Sequence, residues 1–387
     1  MYRETQTGGG RSFLMRCHPV SLMRRRAKNL SGYPRNRPTV RILNDLERVS
    51  DGLLGDRVGK VKREACDPLG QRLALRWRVR RQLVWNASMN ASVDLLACAG
   101  RANVHIEAAV PQGHPSAQIL GTGRIGSGTV VDSKGLILTV NYIVLGAQAL
   151  KVTLQDGREF AAEIVAQDSI SGLAILRISA KELPALPVSA SRQLQLGDEV
   201  FVVSSVGGGS SRVANGNVTF LGPFDANWEY TLDRAIMASA LNPGLGGGAL
   251  VNQFGSAIGV VSLSLNLIGR FSLAIPGECF LEHQDDLLTN GRRTTVTPRA
   301  WLGLFCYPMQ GHVVVAGLLP GAPAEQAGLK QGDVILAIDG QPVPDRRTLY
   351  NQLWTHSAGE AVDLQIFRDN KVRAVEVATA DAEEFFA

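Results

Sequence analysis

Between residues 126 and 276 the chain alternates short apolar runs with turn-forming residues, and that rhythm constrains the fold more than any other feature. Leu136-Ile137-Leu138, Leu173-Ala174-Ile175-Leu176 and Ala249-Leu250-Val251 are such runs, each preceded by glycine at Gly135, Gly172 or Gly246-Gly247-Gly248. The pattern is that of a mainly β chain, with glycine and aspartate turns between strands. The glycine runs do not cradle phosphate. Gly207-Gly208-Gly209 is followed by Ser210-Ser211 with no Gly-Lys-Ser/Thr, and the stretch from Gly244 to Gly248 lacks a lysine. Both read as backbone turns that need positive φ or close approach.

Three segments stand out in order. The first is Gly126-Ser127-Gly128-Thr129-Val130-Val131-Asp132, followed by Gly135 to Val144 with Asn141-Tyr142-Ile143-Val144 at its end. The second is the hairpin signal Asp156-Gly157, followed by Asp168-Ser169-Ile170-Ser171-Gly172-Leu173-Ala174. The third is Asn242-Pro243-Gly244-Leu245-Gly246-Gly247-Gly248-Ala249-Leu250, with Phe271-Ser272-Leu273-Ala274-Ile275-Pro276 downstream. Together they resemble the landmarks of the HtrA (DegP-like) family of trypsin-like serine proteases. The resemblance implies a chymotrypsin-like double β-barrel, with Tyr142 at the histidine position of the triad, Gly172 at the aspartate position and Gly246 at the serine position. It also implies an oxyanion hole built from the backbone of Gly244 and Gly246. The strand Phe271, Ser272, Leu273, Ala274 and Ile275 would form the rim of the substrate cleft, open to an extended chain by β-augmentation.

Triad hydrolysis needs an activated oxygen, a base to take its proton and a group that fixes the base's tautomer. Glycine supplies neither oxygen nor carboxylate, and a tyrosine with its ordinary pKa of about 10 is a poor base near neutrality. The six histidines are His18, His105, His114, His283, His312 and His356, so residues 115–282 contain no imidazole. Ser239, Ser262 and Ser264 read as ordinary strand hydroxyls. Neither His-Glu-x-x-His nor Cys-x-x-Cys occurs, and His356 with Glu360 reads as a surface pair, so no metal or cofactor is expected.

Residues 299–380 read as a second domain. Ala322 to Ala327 forms a short helix bounded by Gly328, Gly332-Asp333 turns into the apolar Val334 to Ile338, and Asp339-Gly340 signals a hairpin. Asp345 is placed to cap a helix through about Thr355, and Val362 to Ile366 alternates as a half-buried strand. The run from Pro320 to Gly340 resembles the central signature of an HtrA-type PDZ domain, and Trp301-Leu302-Gly303-Leu304 resembles its carboxylate-binding loop. The resemblance implies capture of peptides or protein C-termini as an added strand. Trp301, Leu302, Gly303 and Leu304 are the candidate loop. Leu349 and Leu353, one helical turn apart, are candidates for the apolar wall, with plain core packing as the competing reading.

Charge divides the chain. Residues 1–90 hold 20 Lys and Arg against 7 Asp and Glu, a net of +13, whereas residues 91–387 carry −8. The basic head invites nucleic-acid or anionic-membrane binding, an organelle-targeting segment, or a true start at Met89, and the last is favoured. No specific nucleic-acid partner and no transmembrane span are expected, because Asn86, Asn90 and Asp94 interrupt the one apolar stretch. Cys17, Cys66, Cys98, Cys279 and Cys306 outline no disulfide framework, which fits a cytoplasmic protein, while the family alternative is the cell envelope. The expected organisation is a basic extension over 1–88, a trypsin-like domain over 89–288, a linker over 289–298 and an α+β PDZ domain over 299–380. The expected function is a catalytically inactive peptide binder, either self-associating or in mixed assembly with an active relative. The alternative is a serine endopeptidase of protein quality control that uses an unrecognised catalytic group.

Overall fold

Each apolar run becomes a strand, and the turns between them set two closures. The strands β1 (Asn103–Ala109), β2 (Gly123–Val130), β3 (Leu136–Val140), β4 (Ala149–Thr153), β5 (Glu159–Asp168) and β6 (Leu173–Ile178) form a closed barrel in the order β1-β2-β3-β6-β5-β4. The strands β7 (Glu199–Gly207), β8 (Ser210–Asp225), β9 (Thr231–Ala238), β10 (Ala249–Asn252), β11 (Ala257–Ser264) and β12 (Ser272–Pro276) close a second, in the order β10-β11-β12-β9-β8-β7. Closure removes free sheet edges. This computed structural model describes residues 94–265 and 270–387, which fall within one compact unit, Arg78–Ala387. The basic extension and the start at Met89 lie outside the described residues.

One apolar cluster joins the barrels: Ile106, Ile137, Leu138 and Ile175 of the first pack with Leu232, Ala235, Leu273 and Ile275 of the second. Each leucine or isoleucine of this cluster contributes roughly 1.5–3 kcal/mol when fully buried. A helix over Gln284–Asn290 follows the second barrel and ends at Gly291. The residues expected as linker are strapped down. Arg293 makes a buried ion pair with Asp168 at 2.6 Å, and the Thr294 amide donates to the Asp286 carboxylate at 2.7 Å.

The last sheet runs β13 (Leu304–Met309), β14 (His312–Leu318), β15 (Val334–Ile338), β17 (Ala361–Arg368) and β18 (Lys371–Ala378), with β16 (Gln341–Pro342) paired to β15. Asp345 caps the Arg346–Leu353 helix as expected, accepting from the Thr348 amide at 2.8 Å. Strand β17 buries every second residue. The architecture is therefore mainly β, a trypsin-like double barrel followed by a PDZ domain. Among the described residues no helix is long and apolar enough to cross a membrane, and no group of three His, Cys, Asp or Glu side chains could hold a metal ion.

Candidate functional site

The cleft assembles where β3 runs into a short helix, Asn141–Val144. The Asn141 amide donates to Gly172 O at 2.8 Å, which draws the Gly172 turn beside Tyr142. Reaching across to the second barrel, the Ser127 amide of β2 donates to Gly246 O at 2.7 Å and the Ser127 hydroxyl to Leu245 O at 3.0 Å. These contacts bring Tyr142, Gly172 and Gly246 into one neighbourhood. The Tyr142 hydroxyl donates to Ser262 O at 2.8 Å, and burial pushes its pKa up to about 12. A phenol so held stays protonated across the physiological range.

Two glycines define the emptiness of this site. A Cβ added at Gly246 would collide with the Tyr142 hydroxyl oxygen and stand 3.1 Å from Ser262 O. Gly172 has φ +78, and a Cβ there would meet the Tyr230 ring and hydroxyl at 3.2 Å. The backbone donors are partly engaged, because the Gly244 amide donates to the Asn242 side-chain oxygen at 3.1 Å. Ser239 lies just past the end of β9 rather than on it, and its hydroxyl accepts from the Asn217 amide at 3.0 Å.

The rim strand needs correction. Ser272, Leu273 and Ala274 of β12 pair with β11 on one side and with Ala238, Met237 and Ile236 of β9 on the other. A strand paired on both sides offers no edge for augmentation, so the segment Phe271 to Ile275 is not an open rim over these residues.

A histidine does meet a serine between the barrels, at a place the sequence did not suggest. His105 of β1 lies 3.3 Å by its Nδ1 from the Ser205 hydroxyl of β7, with Glu107 3.9 Å from its Nε2. Ser205 is 1% exposed and His105 7%, and the Ser205 oxygen also accepts from the Gly207 amide at 3.1 Å.

The PDZ loop is the richer site. The amides of Leu302, Gly303 and Leu304 converge on one carboxylate, that of Glu229, at 2.7, 2.9 and 3.1 Å. Burial pushes this carboxyl up to about 7, and the three amide donors offset the shift only in part. Trp301, expected in the same loop, instead packs against Phe385 and Phe386 of the C-terminal tail, with ring centroids 4.9 and 5.7 Å away. Leu349 and Leu353 are fully buried in the apolar cluster of the PDZ domain, which also contains Tyr350. The residues of that helix that reach the groove are Arg346 and Tyr350. Arg346 Nε donates to the Asp225 carboxylate at 2.9 Å, and the Tyr350 hydroxyl donates to Ala226 O at 3.0 Å.

Sequence reasoning missed Glu229, Arg346 and Tyr350. Only the last two carried a signal, their four-residue separation on a helix.

Comparison with known proteins agrees with the two modules. A trypsin-like peptidase domain is matched over residues 126–260 and a PDZ domain over residues 293–379. A protein of Marinomonas sp. (strain MWYL1), named as a periplasmic DegP-like serine endoprotease, is 32% identical over 271 residues, 65% of this chain and 56% of that protein. This chain thus spans little more than half the length of that relative. A protein of Synechocystis sp. (strain ATCC 27184 / PCC 6803 / Kazusa), named as the serine protease HhoA, is 30% identical over 280 residues, 66% of this chain and 70% of that protein. The crystal structure of a serine endoprotease from Yersinia pestis is 25% identical and covers 75% of this chain and 97% of its own, with a TM-score of 0.47. With both modules matched in this order, and a relative similar to it over more than two thirds of that relative's length, this chain belongs to the HtrA/DegP-like family of trypsin-like serine proteases with a PDZ domain.

Proposed function

We propose that this chain is a catalytically inactive member of its family that binds peptides or unfolded protein segments through its PDZ domain, with the cleft between the barrels as a vestigial surface. The observation that carries this reading is the Tyr142–Gly246 contact. The position that would hold the nucleophile has no side chain, and the position that would hold the base carries a phenol that stays protonated and bonds elsewhere. Gly172 adds no carboxylate to orient a base. Backbone donors alone stabilise a transition state, but they do not start the attack. The PDZ part is supported by the three convergent amides of Leu302, Gly303 and Leu304, a constellation suited to a carboxylate.

The test is to incubate the purified chain with fluorescein-casein and with a fluorophosphonate probe. The expected result is intact casein and no labelled serine, and labelling of any serine overturns the inactive reading.

One observation favours a second reading, a serine endopeptidase with a non-standard catalytic group: the His105–Ser205 contact between the barrels. Against it, the Ser205 oxygen is sealed from substrate and already accepts an amide hydrogen bond. On this reading the probe labels Ser205 and a Ser205→Ala variant loses the label. On the leading reading neither protein is labelled.

A further inference from the structure

The carboxylate loop of the PDZ domain is not waiting empty. The end of β8 and the turn that follows it, residues 225–229, lie between β13 and the Arg346–Leu353 helix. The Cys306 amide donates to Asn227 O at 2.7 Å, and Trp228 forms an antiparallel bridge with Phe305. Going forward from Asn227 through Trp228 to Glu229, the partners go backward from Cys306 through Phe305 to the amides of residues 304 to 302. That is the polarity of a peptide added antiparallel to β13 with its carboxylate end in the loop. The Glu229 side chain stands where the terminal carboxylate of such a peptide would stand.

The helix side completes the grip. Arg346 reaches both the carboxylate and the backbone oxygen of Asp225, at 2.9 and 3.0 Å, and Tyr350 holds Ala226 O. Contacts therefore run along the whole segment from Asp225 to Glu229. Three buried amides left without an acceptor would each cost about 1–3 kcal/mol, so an acceptor built into the chain has a clear physical purpose.

We infer that the segment Asp225 to Glu229 is an internal ligand of the PDZ groove, and that an extended peptide with a free C-terminal carboxylate enters only by displacing it. This deepens the peptide-binding reading and rests on it. A tethered ligand acts at an effective concentration of millimolar order, so an external peptide meets a groove that is open for only a fraction of the time. Its apparent Kd is the intrinsic value divided by that open fraction. The partner selected is therefore one that offers the same two features as the internal segment, an extended backbone and a carboxylate at its leading end. Displacement also has a second address. Tyr230, next to Glu229, donates its hydroxyl to Ser171 O at 2.6 Å beside Gly172, so the residue that closes the groove is joined by one peptide bond to the residue that packs the cleft.

The experiment uses the full chain and a fluorescein-labelled peptide ending in Ala-Asn-Trp-Val, with either a free carboxylate or a C-terminal amide. Binding is read by anisotropy for the wild type, for Glu229→Ala and for Glu229→Gln, with thermal melts checking that both variants fold. Hydrogen exchange of the 302–306 amides is followed in parallel without peptide. The expected result is at least tenfold tighter binding of the carboxylate peptide by Glu229→Ala, no such gain for the amide, and faster exchange at 302–306, while Glu229→Gln, neutral and still able to accept from the amides, stays close to the wild type at low pH. Unchanged affinity together with unchanged exchange in Glu229→Ala overturns the inference while leaving peptide binding intact. If exchange accelerates but no protein binds either peptide, the internal ligand stands and the peptide-binding reading falls.

Discussion

The cleft between the barrels and the PDZ groove are both filled by the protein's own atoms, but the chemistry of filling is opposite. In the cleft, a tyrosine hydroxyl occupies the space in front of a glycine, and its one hydrogen bond goes to a backbone carbonyl that needs no substrate. In the groove, three amides keep the geometry for a carboxylate and hold one. On the inactive reading, a competing ligand in the first place meets no side chain at 246 or 172. In the second it gains every hydrogen bond that the internal segment gives up. Occupation of the groove is then an equilibrium that a ligand can shift.

The largest effect that would break this comparison is turnover. Removing triad groups from an active serine protease lowers its rate constant by about a millionfold, so casein should remain intact over long incubation, and measurable cleavage would put the two regions on the same footing. Next comes packing in the cleft. Gly246→Ser should lower stability by roughly 1–3 kcal/mol through overpacking against Tyr142, and adding Tyr142→Phe should restore most of it, read as paired shifts in Tm. A neutral Gly246→Ser would mean that Tyr142 does not close the cleft.

The groove should respond to pH. The docked Glu229 carboxyl is pushed up to about 7 from an ordinary 4.5, so the docked form binds its proton more tightly than the open form. Docking is therefore favoured at low pH and weakens as pH rises through that window, with opening releasing a proton. The titratable groups facing Glu229 do not share this window: Cys306 on β13 is pushed up to about 11 by burial, and Tyr350 on the helix is pushed higher still. Arg292, Arg293, Arg299, Asp381 and Glu383 line the pocket beside it. With the groove mostly docked, affinity for the carboxylate peptide should rise roughly fiftyfold from pH 5 to 7.5, and the Glu229→Gln variant should show a flat profile. The smallest effect concerns the groove wall. Asp345→Ala removes the cap of the Arg346–Leu353 helix and should cost about 1 kcal/mol in thermal unfolding, without touching the cleft.

The fold was legible because its determinants are local. Glycine before each apolar run, alternation along Val362 to Ile366 and the cap at Asp345 are all short-range signals, and each corresponds to an observed element. The site was legible only in part. Leu349 with Leu353 and Arg346 with Tyr350 are both four-residue pairs on one helix, and the sequence does not say which stripe turns to the sheet. Glu229 lies 73 residues before Leu302 and sits in a loop without periodicity, so nothing in its surroundings marks it as a ligand. The same distance effect hid the His105–Ser205 contact, 100 residues apart, and the double pairing of β12, which becomes visible only once the barrel has closed.

The hydroxyl of Tyr142 stands where a side chain at 246 would begin. On the proposed reading, a serine placed at 246 alone would have to push that phenol aside before it could face any substrate, so equipping this cleft with a nucleophile would take coordinated changes at 142 and 246 rather than a single exchange.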